Sequence, residues 1–369
     1  MSPGLERRTG SGPGWARCFA ALAVLVAGCS AGRCGSGASG TGPLSPSERR
    51  AMPGVISFLS ERAGQKDVWL VTPTGDERQL TLGPEDEYPG PASPNGRALL
   101  VISSTELQGQ SFQQLRLVPL DGGPEVPLHL PRTRSRNASW SPDGAWLVAE
   151  SDAKGFSDVV RLSPRAGMPE LPLTQVAQGC FEPAVSPSGA EVAFACSSEE
   201  GDPEIYVAHA DGTSPRRITT FYREDRTPQW SPDGQWLSFV SNREQRERVY
   251  RVRADGSELR ALSGEAFAGD EREAAWSPDG QRLVYVSRLP EGKSRIWVVP
   301  AAGGAPQALT DGTHRDDMPA WSPDGKYLVF VSERDAEVDL YLMREDGTGQ
   351  TRLTTAKGAD WLPRWFVQR

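Results

Sequence analysis

The sequence WSPDG at residues 321–325 decides the fold of this chain, because it recurs along most of its length. The same five letters begin at Trp140, Trp230 and Trp276, and altered copies occur at residues 93–96 (SPNG) and 186–189 (SPSG). The serines of these six copies are spaced 45 to 48 residues apart. Self-similarity at such a period indicates one structural unit that is repeated along the chain.

Each copy of the motif sits between two predicted strands. Proline presets φ for the first corner of a type I turn, aspartate suits the next position, and glycine accepts a left-handed conformation. SPDG therefore predicts the tip of a β-hairpin. In the last unit an apolar strand follows at residues 327–332, a further strand at 340–343, and a DG turn at 346–347. Four strands in a unit of this length predict one blade of a β-propeller.

The first unit shows how the ring closes. Residues 55–60 and 68–71 match the second and third strands of a blade, but no SPDG precedes them. The missing first strand is found at the other end of the chain, where Trp365 lies 44 residues after Trp321. The sequence therefore predicts an all-β fold: a seven-bladed β-propeller of four-stranded antiparallel blades over residues 51–369, closed by the C-terminal strand.

The repeats resemble those of the TolB-type propeller family, with WSPDG, the strand after it and the final DG and LT turns recurring from residue 51 to 369. The resemblance implies a propeller fold. TolB itself carries an N-terminal α/β domain before six blades, whereas this chain has seven predicted units that follow a predicted tether. Its partner, the Pal lipoprotein, is therefore not carried over to this chain.

The first fifty residues resemble an export signal with a lipid anchor. Basic residues precede a short apolar run at residues 19–27, which is followed by Gly28 and Cys29. Small residues before a cysteine resemble the lipobox of bacterial lipoproteins. We predict a signal peptide over residues 1–28, lipidation of Cys29, and a flexible Gly/Ser-rich tether over residues 29–50. Ser30 favours the outer membrane, on either face; the alternative is an ordinary cleaved signal with an incidental cysteine.

Composition and histidine content argue against several classes of function. The net charge of −8 disfavours nucleic-acid binding, which needs concentrated lysine and arginine. The three histidines, His129, His209 and His314, fall in three different units, and no GxSxG nucleophile turn is found. We therefore predict no catalytic residues, no metal site, no cofactor and no enzymatic activity.

In each unit we call the position five residues before the motif tryptophan the slot, and it holds a polar or small residue. The slot residues are Glu87, Ser135, Cys180, Asp225, Glu271, Asp316 and Asp360. Because the slot begins the innermost strand, its five carboxylates are predicted to ring one mouth of the channel, and Arg136, Arg226 and Arg272 follow the slot in three units. These eight residues are candidate binding residues. The alternative is that each carboxylate accepts a hydrogen bond from the serine that ends the second strand or from nearby backbone.

The fourth unit departs from this pattern. Hairpin register places Cys180, in the slot, directly opposite Cys196, in the position that other units fill with serine. Cross-strand spacing is compatible with a disulfide, which export would favour. The alternative is two buried free thiols.

These features predict a cell-envelope lipoprotein whose propeller is a scaffold for envelope proteins of unknown identity, binding through its channel mouth and the charged loops beside it, such as residues 242–248. The lipid anchor is its only predicted membrane contact. One alternative is a propeller that binds polysaccharide or peptidoglycan, with tryptophans as stacking platforms. A less favoured one is a degenerate enzyme with a cation bound by carboxylates.

Overall fold

The computed structural model describes residues 42–128, 134–197, 202–221, 223–263, 269–334 and 336–369. The predicted signal peptide, Cys29 and His129 lie outside these ranges. A short helix, α1 (Pro46–Ala51), precedes 28 strands. Within the described ranges, no helix is both long and apolar enough to cross a bilayer.

The strands form seven four-stranded antiparallel sheets, as the repeat predicts. The first three blades contain β1 (Val55–Ser60), β2 (Asp67–Val71) and β3 (Glu77–Gln79); β4 (Asp86–Ala92), β5 (Ala98–Leu107), β6 (Gln110–Pro119) and β7 (Val126–Pro127); β8 (Ser135–Trp140), β9 (Leu147–Ser151), β10 (Asp158–Leu162) and β11 (Leu171–Pro172). Blades 4 and 5 contain β12 (Cys180–Val185), β13 (Glu191–Ser197), β14 (Pro203–His209) and β15 (Arg216–Arg217); β16 (Asp225–Trp230), β17 (Trp236–Ser241), β18 (Arg248–Arg253) and β19 (Arg260–Ala261). Blades 6 and 7 contain β20 (Glu271–Trp276), β21 (Arg282–Arg288), β22 (Ser294–Pro300) and β23 (Gln307–Ala308); β24 (Arg315–Trp321), β25 (Tyr327–Arg334), β26 (Glu337–Arg344) and β27 (Thr351–Arg352).

The last strand, β28 (Asp360–Phe366), completes blade 1. It pairs antiparallel with β1, with Trp365 opposite Ile56 and Asp360 opposite Ser60. The order β28-β1-β2-β3 confirms that the C-terminal strand closes the ring.

The SPDG turns have the hairpin geometry that their residues predict. In blade 3 the Ser141 hydroxyl donates to Asp143 Oδ1 at 2.7 Å, and Gly144 has a φ of 68°. The δ-carbon of Pro94, from the turn of blade 2, lies 3.5 Å from where a β-carbon on Gly144 would be. Neighbouring turns therefore pack against each other, and this end of the propeller is called the SPDG end.

The hydrophobic core lies mainly between the blades. Between blades 7 and 1, for example, Ile56 and Phe58 of β1 pack with Val329 and Val331 of β25, all of them 0–2% exposed. Since every sheet has two faces, each blade buries its apolar residues against both neighbours, which a ring allows and a single blade does not.

The segment before blade 1 differs from the predicted tether in its last nine residues. Ser45 caps α1 by accepting from the backbone N–H of Glu48 at 3.2 Å, and Leu44 and Met52 are buried in the cluster between blades 7 and 1. Arg344 of blade 7 donates twice to Glu48, at 2.8 Å each. Ser45-Pro46-Ser47-Glu48 is a capping box with proline at the first helical position. Regular structure is therefore present before residue 51, and it packs at the SPDG end of the closure.

Candidate functional site

The seven slots have the register that the sequence predicts. Each slot residue lies directly opposite the small residue that ends the second strand of its blade. The pairs are Glu87 with Ser103, Ser135 with Ser151, Cys180 with Cys196, Asp225 with Ser241, Glu271 with Ser287, Asp316 with Ser332, and Asp360 with Ser60.

In three blades the slot carboxylate is bound by an arginine that follows the paired serine of the same blade. Arg243 donates to both oxygens of Asp225, at 3.0 and 2.8 Å, and Arg62 donates to Asp360 at 2.8 Å. In blade 7, Asp316 accepts from the hydroxyl of Ser332 at 2.5 Å, and Arg334 lies 3.5 Å away. Each arginine follows the paired serine by two residues, so a Ser-x-Arg pattern, which the sequence analysis missed, is the signal for this arrangement.

The same arginines also lie over aromatic rings of the blade. The guanidinium carbon of Arg243 is 4.6 Å from the ring centre of Tyr250, that of Arg334 is 4.4 Å from Tyr341, and that of Arg62 is 4.6 Å from Trp69. Cation–π contact and the carboxylate hold each guanidinium in one position. These groups are therefore structural parts of the blade.

The other two acidic slots find different partners. Glu87 pairs with Arg116, from the third strand of blade 2. Glu271 of blade 6 accepts from the hydroxyl of Ser263 at 2.6 Å and from the backbone N–H of Val249 at 3.1 Å. Burial raises the pKa of Glu271 above its usual range, against the lowering effect of these hydrogen bonds.

Blade 4 contains a disulfide between Cys180 and Cys196, with the two α-carbons 4.1 Å apart. The disulfide lies at the position where blades 1, 5 and 7 have a slot carboxylate opposite a serine.

Burial places the five slot carboxylates inside the blades and not on an open channel mouth. Each is at most 1% exposed, and each contacts an arginine, a hydroxyl or a backbone N–H of the surrounding blades. Each slot carboxylate belongs to the first or second residue of the innermost strand and contacts polar groups of the neighbouring strands. Their arrangement corresponds to the hydrogen-bonding alternative.

The arginines that follow the slots lie outside this buried layer. Arg226 pairs with Glu224 at 3.0 Å, Arg272 pairs with Glu247, and both arginines are about half exposed. Neither pairs with the slot carboxylate next to it in sequence. Arg226 and Arg272 lie together at the mouth. Arg136 lies apart from them in blade 3, where it pairs with Glu150 at 2.7 Å.

A pocket of about 320 Å³ lies at the mouth between blades 5 and 6. We call it the mouth pocket, and its polar wall includes Glu224, Arg226, Asn242, Glu247, Arg272 and Glu273. Phe239 and Ala274 supply apolar surface. The pocket therefore offers two guanidinium groups and three carboxyl groups next to the charged loop at residues 242–248.

The channel wall below the mouth is built from bulged backbone. In six blades the residue two places after the slot has a positive φ: Asn137, Glu182, Thr227, Glu273, Met318 and Leu362. Two of them, Glu182 and Glu273, each accept a hydrogen bond from the backbone N–H of the next such residue in the ring, Thr227 and Met318 respectively, at 2.6 Å. Burial raises the pKa of both glutamates. These contacts tie neighbouring blades together around the channel.

Metal ligands and histidines are the remaining candidate chemical groups of this chain. Within the ranges that the structure covers, no three His, Cys, Asp or Glu side chains are grouped so that they could hold a metal ion. The ring of His209 contacts the hydroxyl of Thr213 at 3.2 Å, within one turn, and His314 directly precedes β24 of blade 7.

A seven-bladed propeller with a buried polar layer and a charged mouth is the class that these observations define. The chain belongs to the TolB beta propeller domain family (PD40), whose model matches residues 169–365. It is 31% identical over 256 residues to a protein described as a TolB homolog of Chlorobium luteolum, a match that covers 69% of this chain and 57% of that protein.

Solved structures share the fold at lower identity. TolB from Acinetobacter baumannii is 19% identical with a TM-score of 0.55, covering 87% of this chain and 85% of that one. An oligogalacturonate lyase from Vibrio parahaemolyticus is 15% identical with a TM-score of 0.61, covering 82% and 88%. These likenesses concern the fold alone, and the chain spans about half the length of the curated relatives that it matches.

Proposed function

We propose that this chain is a cell-envelope lipoprotein, anchored through Cys29, whose propeller binds other envelope proteins at its channel mouth. The observation that carries the binding part is the mouth pocket. It is lined by both signs of charge on Arg226, Arg272 and Glu247, and it lies next to a charged loop. Side chains of both signs around an apolar floor suit a polar protein surface better than a small apolar molecule.

The kinship with TolB-type propellers supports this proposal over an enzymatic one. The structural likeness to a lyase extends to the fold, while the carboxylates that could have held a cation are bound by arginines and hydroxyls. Stacking of sugars is also less favoured, because Trp230, Trp321 and Trp365 are at most 9% exposed and donate their indole N–H to backbone carbonyls.

The experiment is a crosslinking capture from native envelopes with three forms of the propeller. The first is the unmodified protein, the second carries Arg226→Gln and Arg272→Gln, and the third carries Arg253→Gln. Arg253 is a control because it is similarly exposed and paired, with Glu258, but lies outside the mouth pocket. We expect a protein captured by the first and third forms and lost from the second. Equal capture by all three would remove the mouth pocket from the proposal.

The anchor is tested separately. In cells that make the protein, a labelled fatty acid should be incorporated into the unmodified chain and not into a Cys29→Ala variant. The variant should also leave the membrane fraction. Incorporation into both forms, or into neither, would contradict the lipoprotein assignment and leave the mouth proposal standing.

A further inference from the structure

The opposite end of the channel, at the SPDG end, holds a cavity of about 660 Å³. Its wall is largely apolar, with Trp276, Pro278, Met318, Pro323 and Leu362 among the lining residues. The cavity is formed by blades 5, 6, 7 and 1. It is therefore a property of the closed ring.

Arg364 is the unusual residue of this cavity. It lies four residues after the slot of blade 1, on β28. The residues at the same place in the other six blades are uncharged: Pro91, Ser139, Ala184, Gln229, Ala275 and Ala320. Chain closure by the C-terminal strand thus puts one cation into a ring of small and uncharged residues.

The positive charge of Arg364 is not neutralised by the protein around it. Its Nε donates to the carbonyl of Pro89 at 3.2 Å, and no carboxylate of the described residues lies within 4.0 Å of its guanidinium. The side chain of Arg364 is exposed at the wall of the cavity. The terminal nitrogens of the guanidinium are therefore available to a ligand.

The carboxylates of the SPDG turns are held within their own turns. Asp143, Asp233, Asp279 and Asp324 belong to blades 3, 5, 6 and 7, and each accepts from the serine of its own turn. Blade 2 has Asn95 at this position, and blade 1 has no SPDG turn. Arg364 lies between these two blades. A second cavity of about 430 Å³ adjoins it there and is lined by Pro91, Pro94 and Arg369.

We propose that the SPDG end of the channel binds an apolar peptide segment that ends in a free carboxylate, with the carboxylate on Arg364. The charge of the unpaired guanidinium selects an anion, and its planar fork fits a carboxylate with two hydrogen bonds. The proline-rich and methionine-bearing wall fits apolar side chains. Sugars are disfavoured because two of the three tryptophans in the wall, Trp321 and Trp365, are 7% and 9% exposed, which leaves only Trp276 as a surface for stacking.

This site does not rest on the proposed scaffold function. The mouth pocket and the cavity of Arg364 adjoin and share Gln229, Glu273 and Ala274, but Arg226 and Arg272 line only the mouth pocket and Arg364 lines only the cavity. A variant of one is therefore a control for the other.

The test uses the full-length chain in detergent and two libraries of N-acetylated hexapeptides composed of Ala, Val, Leu, Phe and Pro. The libraries are identical except that one has a free C-terminal carboxylate and the other a C-terminal amide. Retained peptides are identified by affinity-selection mass spectrometry, and the strongest is titrated by calorimetry. The protein forms are the unmodified chain, Arg364→Gln, Ala320→Trp and the mouth control Arg226→Gln.

We expect members of the carboxylate library to be retained. Amidation and Arg364→Gln should each weaken binding roughly ten- to a hundredfold, as for loss of a charge-assisted hydrogen-bonded pair. Ala320→Trp should block the channel and abolish binding even if Arg364→Gln fails to fold, and Arg226→Gln should bind normally.

Three results would overturn the proposal. The first is that no peptide of either library is retained at millimolar concentration. The second is equal retention of the amidated library. The third is binding of inorganic phosphate or of oligogalacturonate that depends on Arg364, in the absence of any peptide binding, which would make the site a general anion site or a sugar site.

Discussion

Blades 5 and 6 are neighbours on either side of the mouth pocket, and they treat the same slot in different ways. In blade 5, Asp225 is fully buried and receives two hydrogen bonds from Arg243. In blade 6, Glu271 is equally buried, but Leu289 replaces the arginine, and the carboxylate is bound by Ser263 and a backbone N–H.

The difference shows that the slot position is buried in both blades while the atoms that bind its carboxylate differ. A buried carboxylate needs compensation, which a guanidinium or a set of neutral donors can supply. Burial raises the pKa of Glu271, which has only neutral donors, and it also raises the pKa of Asp360 despite the neighbouring Arg62. Blade 4 avoids the requirement because its disulfide has no charge.

The largest expected effect is in blade 5. Asp225→Ala leaves the guanidinium of Arg243 buried without its carboxylate, so we expect a loss of about 3 kcal/mol in the free energy of unfolding. Chemical denaturation measures it. The double variant Asp225→Ala, Arg243→Leu removes the stranded charge and should recover part of that loss. If the double variant is as unstable as the sum of both single variants, the two side chains are not coupled.

A slightly smaller effect is expected in blade 4. Replacement of both Cys180 and Cys196 by serine removes a crosslink over 16 residues, and the chain-entropy model gives a loss of about 2–3 kcal/mol. Denaturation with and without reductant should show this difference only for the unmodified protein.

The bond itself is checked by mass spectrometry of a digest under non-reducing conditions. The peptide containing Cys180 should be found linked to the peptide containing Cys196. Recovery of two free thiols after alkylation of the folded, purified protein would show that blade 4 is not crosslinked.

The smallest effect is expected in blade 6, and it depends on pH. Because burial raises the folded-state pKa of Glu271 above its unfolded value, the folded state holds the proton more tightly. Its contribution to stability is complete below the unfolded pKa and is lost as the pH rises through the raised folded pKa.

Thermal melting between pH 4 and pH 8 tests this sign. Toward neutral pH the Glu271→Gln variant should become more stable than the unmodified protein, by less than about 1 kcal/mol in the free energy of unfolding. Glutamine is neutral at every pH, so it loses no stability through deprotonation. Asp225→Asn is the matched variant and should instead be destabilised at neutral pH. A variant of Glu271 that loses stability steadily toward pH 8 would reverse the sign assigned here.

The sequence predicts the fold in detail because its turns are local. Ser-Pro-Asp-Gly forms its hairpin tip from its own side chains, as in the bond from Ser141 to Asp143, so each copy reports one hairpin wherever it occurs. The six copies therefore count six blades, and the strands at the two ends of the chain supply the seventh. The hairpin register that places Cys180 opposite Cys196 also follows from local spacing.

Other features depend on contacts between distant residues. The Ser-x-Arg partner of Asp360 is Arg62, 298 residues away in the chain, and the mouth pocket joins residues of two blades. The capping box at Ser45 is a local signal, but its docking rests on Arg344 of blade 7.

The sequence by itself determined the number of blades, the closure by β28 and the strand register that sets each slot residue opposite a small residue. It could do so because periodic turns and strand alternation act over short distances. Only the tertiary structure decided that the slot carboxylates are buried and paired, that Arg226 and Arg272 share a pocket, and that Arg364 lacks an acidic neighbour. Exposure and charge pairing depend on which blades meet across the ring, and that information is not contained in any single repeat.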